Sequence, residues 1–396
     1  MDKKTVRDVP VRGKRVLVRV DFNVPTDKKT GAITDDIRIR ESLPTIKYLI
    51  DQGSKVILVS HLGRPDGKVV DSMRLDKVAQ RLGQLLGKPV KTAPDCVGTE
   101  VGRLVGELEA GDVILLENVR FHAEEEKNDP GFARQLANLA DVFVNDAFGT
   151  THRAHASTVG ITAYLPSVAG FLVEKELKAM GKVLQNPDRP FASLIGGAKI
   201  SDKIGFLQNL LGKVDILLIG GGMAATFFKA QGYQIGKSLV EEDRLDFAFH
   251  VMRDAKEKGL RLLLPIDVVV SDSVDGSSPS RAVAVERISP ADRVVDIGPE
   301  TVKSFTDELR KCRTVLWNGP MGIFEVAAFA AGTHAMSEVL ASLKATTIVG
   351  GGSTAEAVES LGLAGKMTHV STGGGASLSF LSGEILPGIA ALQDKV

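Results

Sequence analysis

Short runs of Val, Ile and Leu recur at 15–20, 55–59, 112–116, 141–144, 191–195, 214–219, 261–264, 313–317 and 345–349, separated by segments with helical periodicity. Runs that are apolar at nearly every position suit strands covered on both faces. Their alternation with helices predicts βαβ units around mostly parallel sheets. Between 166 and 190, Pro166 and a helix-like GFLVEKELKAMGKVL lead into Asn186-Pro187-Asp188-Arg189-Pro190, which reads as a connecting helix followed by a break. The expected fold class is therefore α/β: two Rossmann-like lobes, each a mostly parallel sheet flanked by helices, joined by a hinge helix. The first lobe is expected over 1–170, the connecting helix and hinge over 171–190, and the second lobe from 191 onward.

Composition narrows the function classes. A chain of 396 residues with 43% hydrophobic content is long enough for two or three cored domains, and no apolar run approaches the ~18 residues of a membrane helix. The 49 Lys and Arg balance 49 Asp and Glu, which removes the broad basic surface that nucleic acid or an anionic membrane would require. Anionic ligands must then be met by local clusters. The N-terminal MDKKTVRDVPVRGKRVLVRV lacks the apolar core of a secretory signal, and Cys96 and Cys312 have no paired spacing. A cytoplasmic location with two plain buried thiols is the expectation.

In open α/β sheets ligands bind beyond the carboxyl ends of the strands, and the loops found there differ between the halves. The first half carries DFN, SHLGRP, ENVRF and NDAFGTTHRAHAS. These place Arg38, His61, Arg64, Arg120 and Arg153 at strand ends or a helix start, where guanidinium forks would grip phosphate or carboxylate. Asp21 and Asn23 either hydrogen-bond hydroxyls of a small polyhydroxy or hydroxy-acid ligand or close a turn before Pro25; spacing permits both. His152 and His155 have no third zinc ligand at a usual spacing, so anion binding or packing is the better reading.

The second half carries IGGAK, IGGGM, DIGPE, WNGPMG and VGGGST. Glycine between a strand and a helix lets a phosphate approach bare N–H groups at a helix start. No GxGxxG occurs, which argues against a dinucleotide site, and the Walker-like stretch 232–238 is one residue short. Lys199 and Lys203 flank the helix start after IGG, within reach of a nucleotide phosphate. Glu325 is placed to touch a ribose hydroxyl, and TGGGAS at 372–377 opens a further helix.

Taken in order, RVDFNVP, DDIRIR, LPTIKYL, SHLGRP, ENVRF, NDAFGTTHRAHAST, GGAKISDKI, IGGGMA, WNGPMGIFE, VGGG and STGGGASL closely resemble the phosphoglycerate kinase family across essentially the whole chain. The resemblance implies a monomeric, cytoplasmic, two-lobed enzyme of glycolysis. Such an enzyme transfers the acyl phosphate of 1,3-bisphosphoglycerate to ADP, giving 3-phosphoglycerate and ATP, reversibly and with Mg²⁺. By that resemblance the first lobe binds phosphoglycerate through Asp21, Phe22, Asn23, Arg38, His61, Leu62, Gly63, Arg64, Arg120 and Arg153. The second, 191–379, binds nucleotide through Lys203, Gly220, Gly221, Gly222, Gly298, Asn318, Pro320, Glu325, Gly351, Gly352, Ser353 and Thr354, and 380–396 returns to the first lobe.

Phosphoryl transfer asks for in-line positioning and positive charge and needs no nucleophilic side chain. Arg38 and Lys199 are expected to converge on the phosphoryl group, supported by N–H groups of Gly373, Gly374 and Gly375, with closure of the hinge excluding water. One departure stands out. Where the family reads GGGD, this chain reads Gly350-Gly351-Gly352-Ser353-Thr354. A hydroxyl in place of that carboxylate should weaken Mg²⁺ binding or route it through water, and it keeps open the alternative of a non-catalytic phosphoglycerate- and nucleotide-binding protein.

Overall fold

A computed structural model describes residues 2–27 and 29–395. The chain divides into two compact units, one comprising 1–178 with 385–396 and the other 179–384. The helix Phe171–Gln185, in the stretch expected to connect two lobes, carries the chain from one unit into the other.

The first unit holds β1 (Arg15–Arg19), β2 (Lys55–Val59), β3 (Lys91–Thr92), β4 (Val113–Leu115), β5 (Val142–Asn145) and β6 (Ser167–Ala169), in the order β3-β4-β2-β1-β5-β6. Every pairing is parallel. Val16, Val18, Val56, Leu58, Val142 and Val144 join the helices Ile37–Asp51 and Asp76–Leu86 in one core cluster. Leu17, Ile57, Ile114 and Phe143, the alternate residues, are just as buried outside that cluster, as the two-residue strand period requires of a sheet covered on both faces.

The C-terminal segment is tied to the start of the chain. Lys4 N donates to Gln393 O at 2.8 Å, Gln393 N to Ser167 O at 3.0 Å and Lys3 Nζ to Leu392 O at 2.7 Å.

The second unit holds β7 (Phe191–Ile195), β8 (Ile216–Ile219), β9 (Arg261–Leu263), β10 (Asp267–Ser271), β11 (Ser280–Ala284), β12 (Arg293–Ile297), β13 (Thr314–Asn318), β14 (Thr346–Gly350) and β15 (His369–Val370). Six of them form a parallel sheet in the order β15-β14-β13-β7-β8-β9. β10, β11 and β12 form a separate antiparallel sheet in the order β11-β10-β12 that the spacing of apolar runs did not anticipate. The DIGPE loop therefore follows a strand of this small sheet and not of the main parallel one.

Two buried aspartates cap helices near strand ends. Asp146 follows β5, and its Oδ1 accepts from Leu172 N at 2.9 Å at the start of the helix Phe171–Gln185. Asp296 in β12 accepts from Gly332 N at 2.7 Å. Burial pushes each carboxyl from 3.8 up to about 7. The folded chain thus keeps two protons that the unfolded chain releases near pH 4, so this contribution to stability is complete below about pH 4 and is lost as pH rises through 7. Asp146→Asn is expected to remove its share: the melting-temperature difference between wild type and variant should shift against wild type by several degrees from pH 4 to pH 7.5. A flat difference curve would show that the carboxyl titrates alike in both states.

Candidate active site

The carboxyl edge of the first sheet gathers most of the expected cations. β1 delivers Asp21 and Asn23, β2 delivers Ser60 and His61, β4 delivers Arg120, and the segment after β5 delivers Arg153 and His155. Arg38, in the first turn of the helix Ile37–Asp51, places Nη1 2.6 Å from Asp21 Oδ2. Asn23 Oδ1 accepts from Gly63 N at 2.9 Å, and Arg120 Nη1 donates to Gly63 O at 2.9 Å. The SHLGRP loop is thus held from two sides. Phe22 is fully buried and Leu62 nearly so, which makes both supports of the loops that carry the polar groups. Arg64 is exposed and makes no side-chain hydrogen bond or ion pair with the described residues.

At the centre lies Arg19, fully buried at the end of β1. Its Nε donates to Ser157 Oγ at 2.8 Å, Nη1 bonds Val20 O, and Nη2 is 3.2 Å from His61 Nδ1. A strand that reads RVLVRV gave no hint that this arginine points inward. Burial, then the Arg19 charge, push the His61 imidazole well below its usual range. Burial, then the charges of Arg120, Arg19 and Arg153, push His155 down to about 4. Asp21 stays below the ordinary carboxylate value because Arg38 and Arg19 outweigh its burial, while burial pushes the deeper Glu125 up. Burial keeps both imidazoles neutral, and the guanidiniums of Arg19, Arg120 and Arg153 add to the effect. Such an edge fits an anionic ligand that can accept from several planar donors.

The second unit uses backbone packing where the first uses charge. Gly196 N donates to Asn318 O, Gly197 N to Pro320 O and Gly221 N to Met321 O, at 3.0, 2.9 and 3.1 Å. A Cβ on Gly196 would lie 2.1 Å from Pro320 O, and one on Gly221 2.6 Å from Gly197 N. A Cβ on Gly220 would meet Met321 Sδ at 2.6 Å, and one on Gly222 Ala198 O at 3.3 Å. These glycines let three post-strand loops stack on one another. Open backbone occurs instead at Gly352 and Gly374, where a Cβ would meet nothing within 4 Å. Both lie at the starts of helices, Gly352–Ser360 and Gly375–Leu381. In the latter loop, Gly373 N is engaged by Ser371 Oγ at 3.1 Å.

Gly298 has a different reason. It precedes the helix Pro299–Leu309, whose N–H groups at Glu300 and Thr301 already bond the Asp267 carboxylate at 3.1 and 2.7 Å. Asp267 lies 2.2 Å from where a Cβ of Gly298 would stand. That helix start is therefore taken by a carboxylate of the chain itself and is not free for a phosphate.

Lys203 and Asn318 converge from the loop after β7 and from the end of β13. Lys203 Nζ bonds Asn318 Oδ1, burial lowers the ammonium to about 8, and Asn318 Nδ2 is buried with no hydrogen-bond partner among the described residues. A cation and an unsatisfied amide donor side by side call for an acceptor. Lys199 is exposed and acts electrostatically on Glu241, while Glu325 is exposed after Met321. Thr354 Oγ1 is committed to Gly319 N at 2.7 Å.

Ser353 is exposed at the start of Gly352–Ser360, and no group of three or more His, Cys, Asp or Glu ligand atoms forms around that loop among the described residues. The residues present do not fit a carboxylate-held Mg²⁺.

The fold and the two sets of loops define an α/β phosphotransferase. The family model for phosphoglycerate kinase matches residues 6–384. Phosphoglycerate kinases of Pelotomaculum thermopropionicum and Dictyoglomus turgidum are each 58% identical over the full length of both chains. The phosphoglycerate kinase structure from Coxiella burnetii superposes with a TM-score of 0.88 at 41% identity, and that from Pyrococcus horikoshii with 0.85 at 33%, each over 98% of both chains. The chain belongs to the phosphoglycerate kinase family, and its activity is phosphoryl transfer with a carboxyl group as acceptor, a step of glycolysis.

Proposed function

We propose that the first unit binds 3-phosphoglycerate or 1,3-bisphosphoglycerate and the second binds ADP or ATP. The observation that carries this reading is the buried Arg19–His61 pair beside Arg38–Asp21 at the sheet edge, a set of donors suited to a small, highly anionic hydroxy acid. Arg38, Arg120 and Arg153 take the anionic groups of the ligand, with Arg64 joining from the exposed part of its loop. Asp21 and Asn23 take its hydroxyl and carboxyl end. Lys203 and Asn318 Nδ2 take a nucleotide phosphate, Glu325 the ribose, and the loops at 220–222, Gly298 and Pro320 line the base.

Transfer itself requires the acyl carboxylate and the terminal phosphate in line. Arg38 and Lys199 supply charge to the transferring group, and the helix start at 373–375, whose backbone is open at Gly374, supports it. Turnover then requires the two units to bring their ligands together, with the helix Phe171–Gln185 as the element that bends. Magnesium would be held by nucleotide phosphates and water, since position 353 offers only a hydroxyl. Two buried free thiols fit a reducing compartment, and no helix among the described residues is long and apolar enough to cross a membrane.

The test is a coupled assay of 3-phosphoglycerate with ATP across a magnesium titration, with wild type beside Ser353→Asp. Wild type is expected to turn over. The variant should need roughly 10-fold less Mg²⁺ for half-maximal rate, about 1.4 kcal/mol from one added charge. No wild-type turnover with rescue by Ser353→Asp would establish the binding-only alternative, which the comparisons do not favour.

A further inference from the structure

Outside the anion site, three ligand-type side chains from two separate loops of the first unit converge. Asp95 and Cys96 lie between β3 and the helix Thr99–Gly106, and His122 directly follows the turn Val119–Phe121. One atom from each, a carboxylate oxygen, the thiol sulfur and a ring nitrogen, lies within 4.8 Å of the other two, and no other such trio occurs among the described residues. His122 Nε2 is 2.6 Å from Asp95 Oδ1. Cys96 is fully buried, whereas the side chains of Asp95 and His122 are 46% and 29% exposed. The sulfur forms a floor, and the carboxylate and imidazole form a rim open to solvent.

We propose that Asp95, Cys96 and His122 bind a thiophilic divalent cation of the Zn²⁺ class, with three protein ligands and a fourth position toward water. Thiolate and imidazole select zinc-like ions over Mg²⁺ or Ca²⁺, which take oxygen donors. Tetrahedral bonds of ~2.0–2.3 Å place ligand atoms roughly 3.3–3.8 Å apart. The Asp95–His122 pair must therefore open by less than ~1 Å, and the rim must close on the sulfur by about as much. Both movements fall on the two partly exposed side chains. The His122 ring packs against Phe132, with centroids 5.1 Å apart and planes tilted by 30°.

Binding breaks the S–H bond of Cys96, forms the metal–sulfur bond and releases the proton to water, with no change of oxidation state. The ion would clamp the 93–98 loop to the turn that presents Arg120. Cysteine spacing gave no sign of this site because its ligands come from positions 95, 96 and 122 and meet only through the pairing of β3 with β4.

The full-length protein, reduced with a phosphine, is titrated with Co²⁺ as a spectroscopic stand-in, beside Cys96→Ser, His122→Gln and Cys312→Ser. Wild type and Cys312→Ser are expected to give a thiolate-to-cobalt charge-transfer band that saturates at one equivalent and is abolished by Zn²⁺. Cys96→Ser should show no band, and His122→Gln should bind at least ~10-fold more weakly. Because His122 is on the exposed rim, its variant tests the site even if Cys96→Ser misfolds. Absence of the band in wild type, its survival in Cys96→Ser, or unchanged affinity in His122→Gln would each overturn the proposal.

Discussion

Arg38→Ala is expected to lower turnover by about 10³-fold while the protein still melts as a folded chain. A unit charge pair at 4 Å is worth roughly 4 kcal/mol at an effective dielectric of 20, and each 1.4 kcal/mol is tenfold in rate. Arg38 is about one-third exposed and its ion partner is Asp21. Asp21 retains the charge of buried Arg19 when Arg38 is gone, so the carboxylate is not left alone in the interior. The loss should therefore fall on rate more than on stability. Arg38→Lys restores the charge without the planar fork and should recover only part of the activity. Steady-state kinetics beside a thermal melt separate the two effects. An Arg38→Ala enzyme with wild-type kcat would remove Arg38 from the reacting centre.

Gly319→Ala is expected to destabilise the second unit by roughly 3–5 kcal/mol, from a clash and a backbone conformation that only glycine adopts readily. Its φ is +99°, and a Cβ there would lie 2.1 Å from Gly196 O and 2.3 Å from Gly196 C. Both obstacles are backbone atoms of the neighbouring glycine loop, which cannot move without parting β13 from β7. Stabilisation by added ATP should disappear together with the loop. Gly352→Ala is the matched control, since nothing lies within 4 Å of its Cβ position, and it should melt close to wild type. If Gly319→Ala melted like Gly352→Ala, the packing account of the second unit's glycines would fail.

All nine apolar runs became strands because a parallel sheet buried on both faces demands apolar residues at every position. What escaped detection was short or differently paired. β3, β6 and β15 have two or three residues each, too few for a period, and they are strands at the sheet edges. The antiparallel trio β10, β11 and β12 escaped because periodicity says nothing of which strand a run will pair with, and Ser280–Ala284 is largely exposed.

The site was legible to a similar degree. Asp21, His61 and Arg120 stood out as candidates by following strands and Arg38 by opening a helix, whereas Arg19 hid inside a strand. The glycine loops were visible as clusters, yet their spelling could not separate Gly319, wedged against a neighbouring loop, from Gly352, which is open. Nor could it show that the helix start after Gly298 was already filled by Asp267, a residue on another strand.

The sequence by itself determined the α/β class, nine of the strands, the contrast between cationic and glycine-rich loops and the family. Each of these depends on local composition and order along the chain. Tertiary structure alone decided which charges are buried, which imidazoles are held neutral, which glycines are packed and which are open, and that Asp95, Cys96 and His122 meet. Those properties arise from distances between residues far apart in sequence and from the water excluded between them. Only folding sets either.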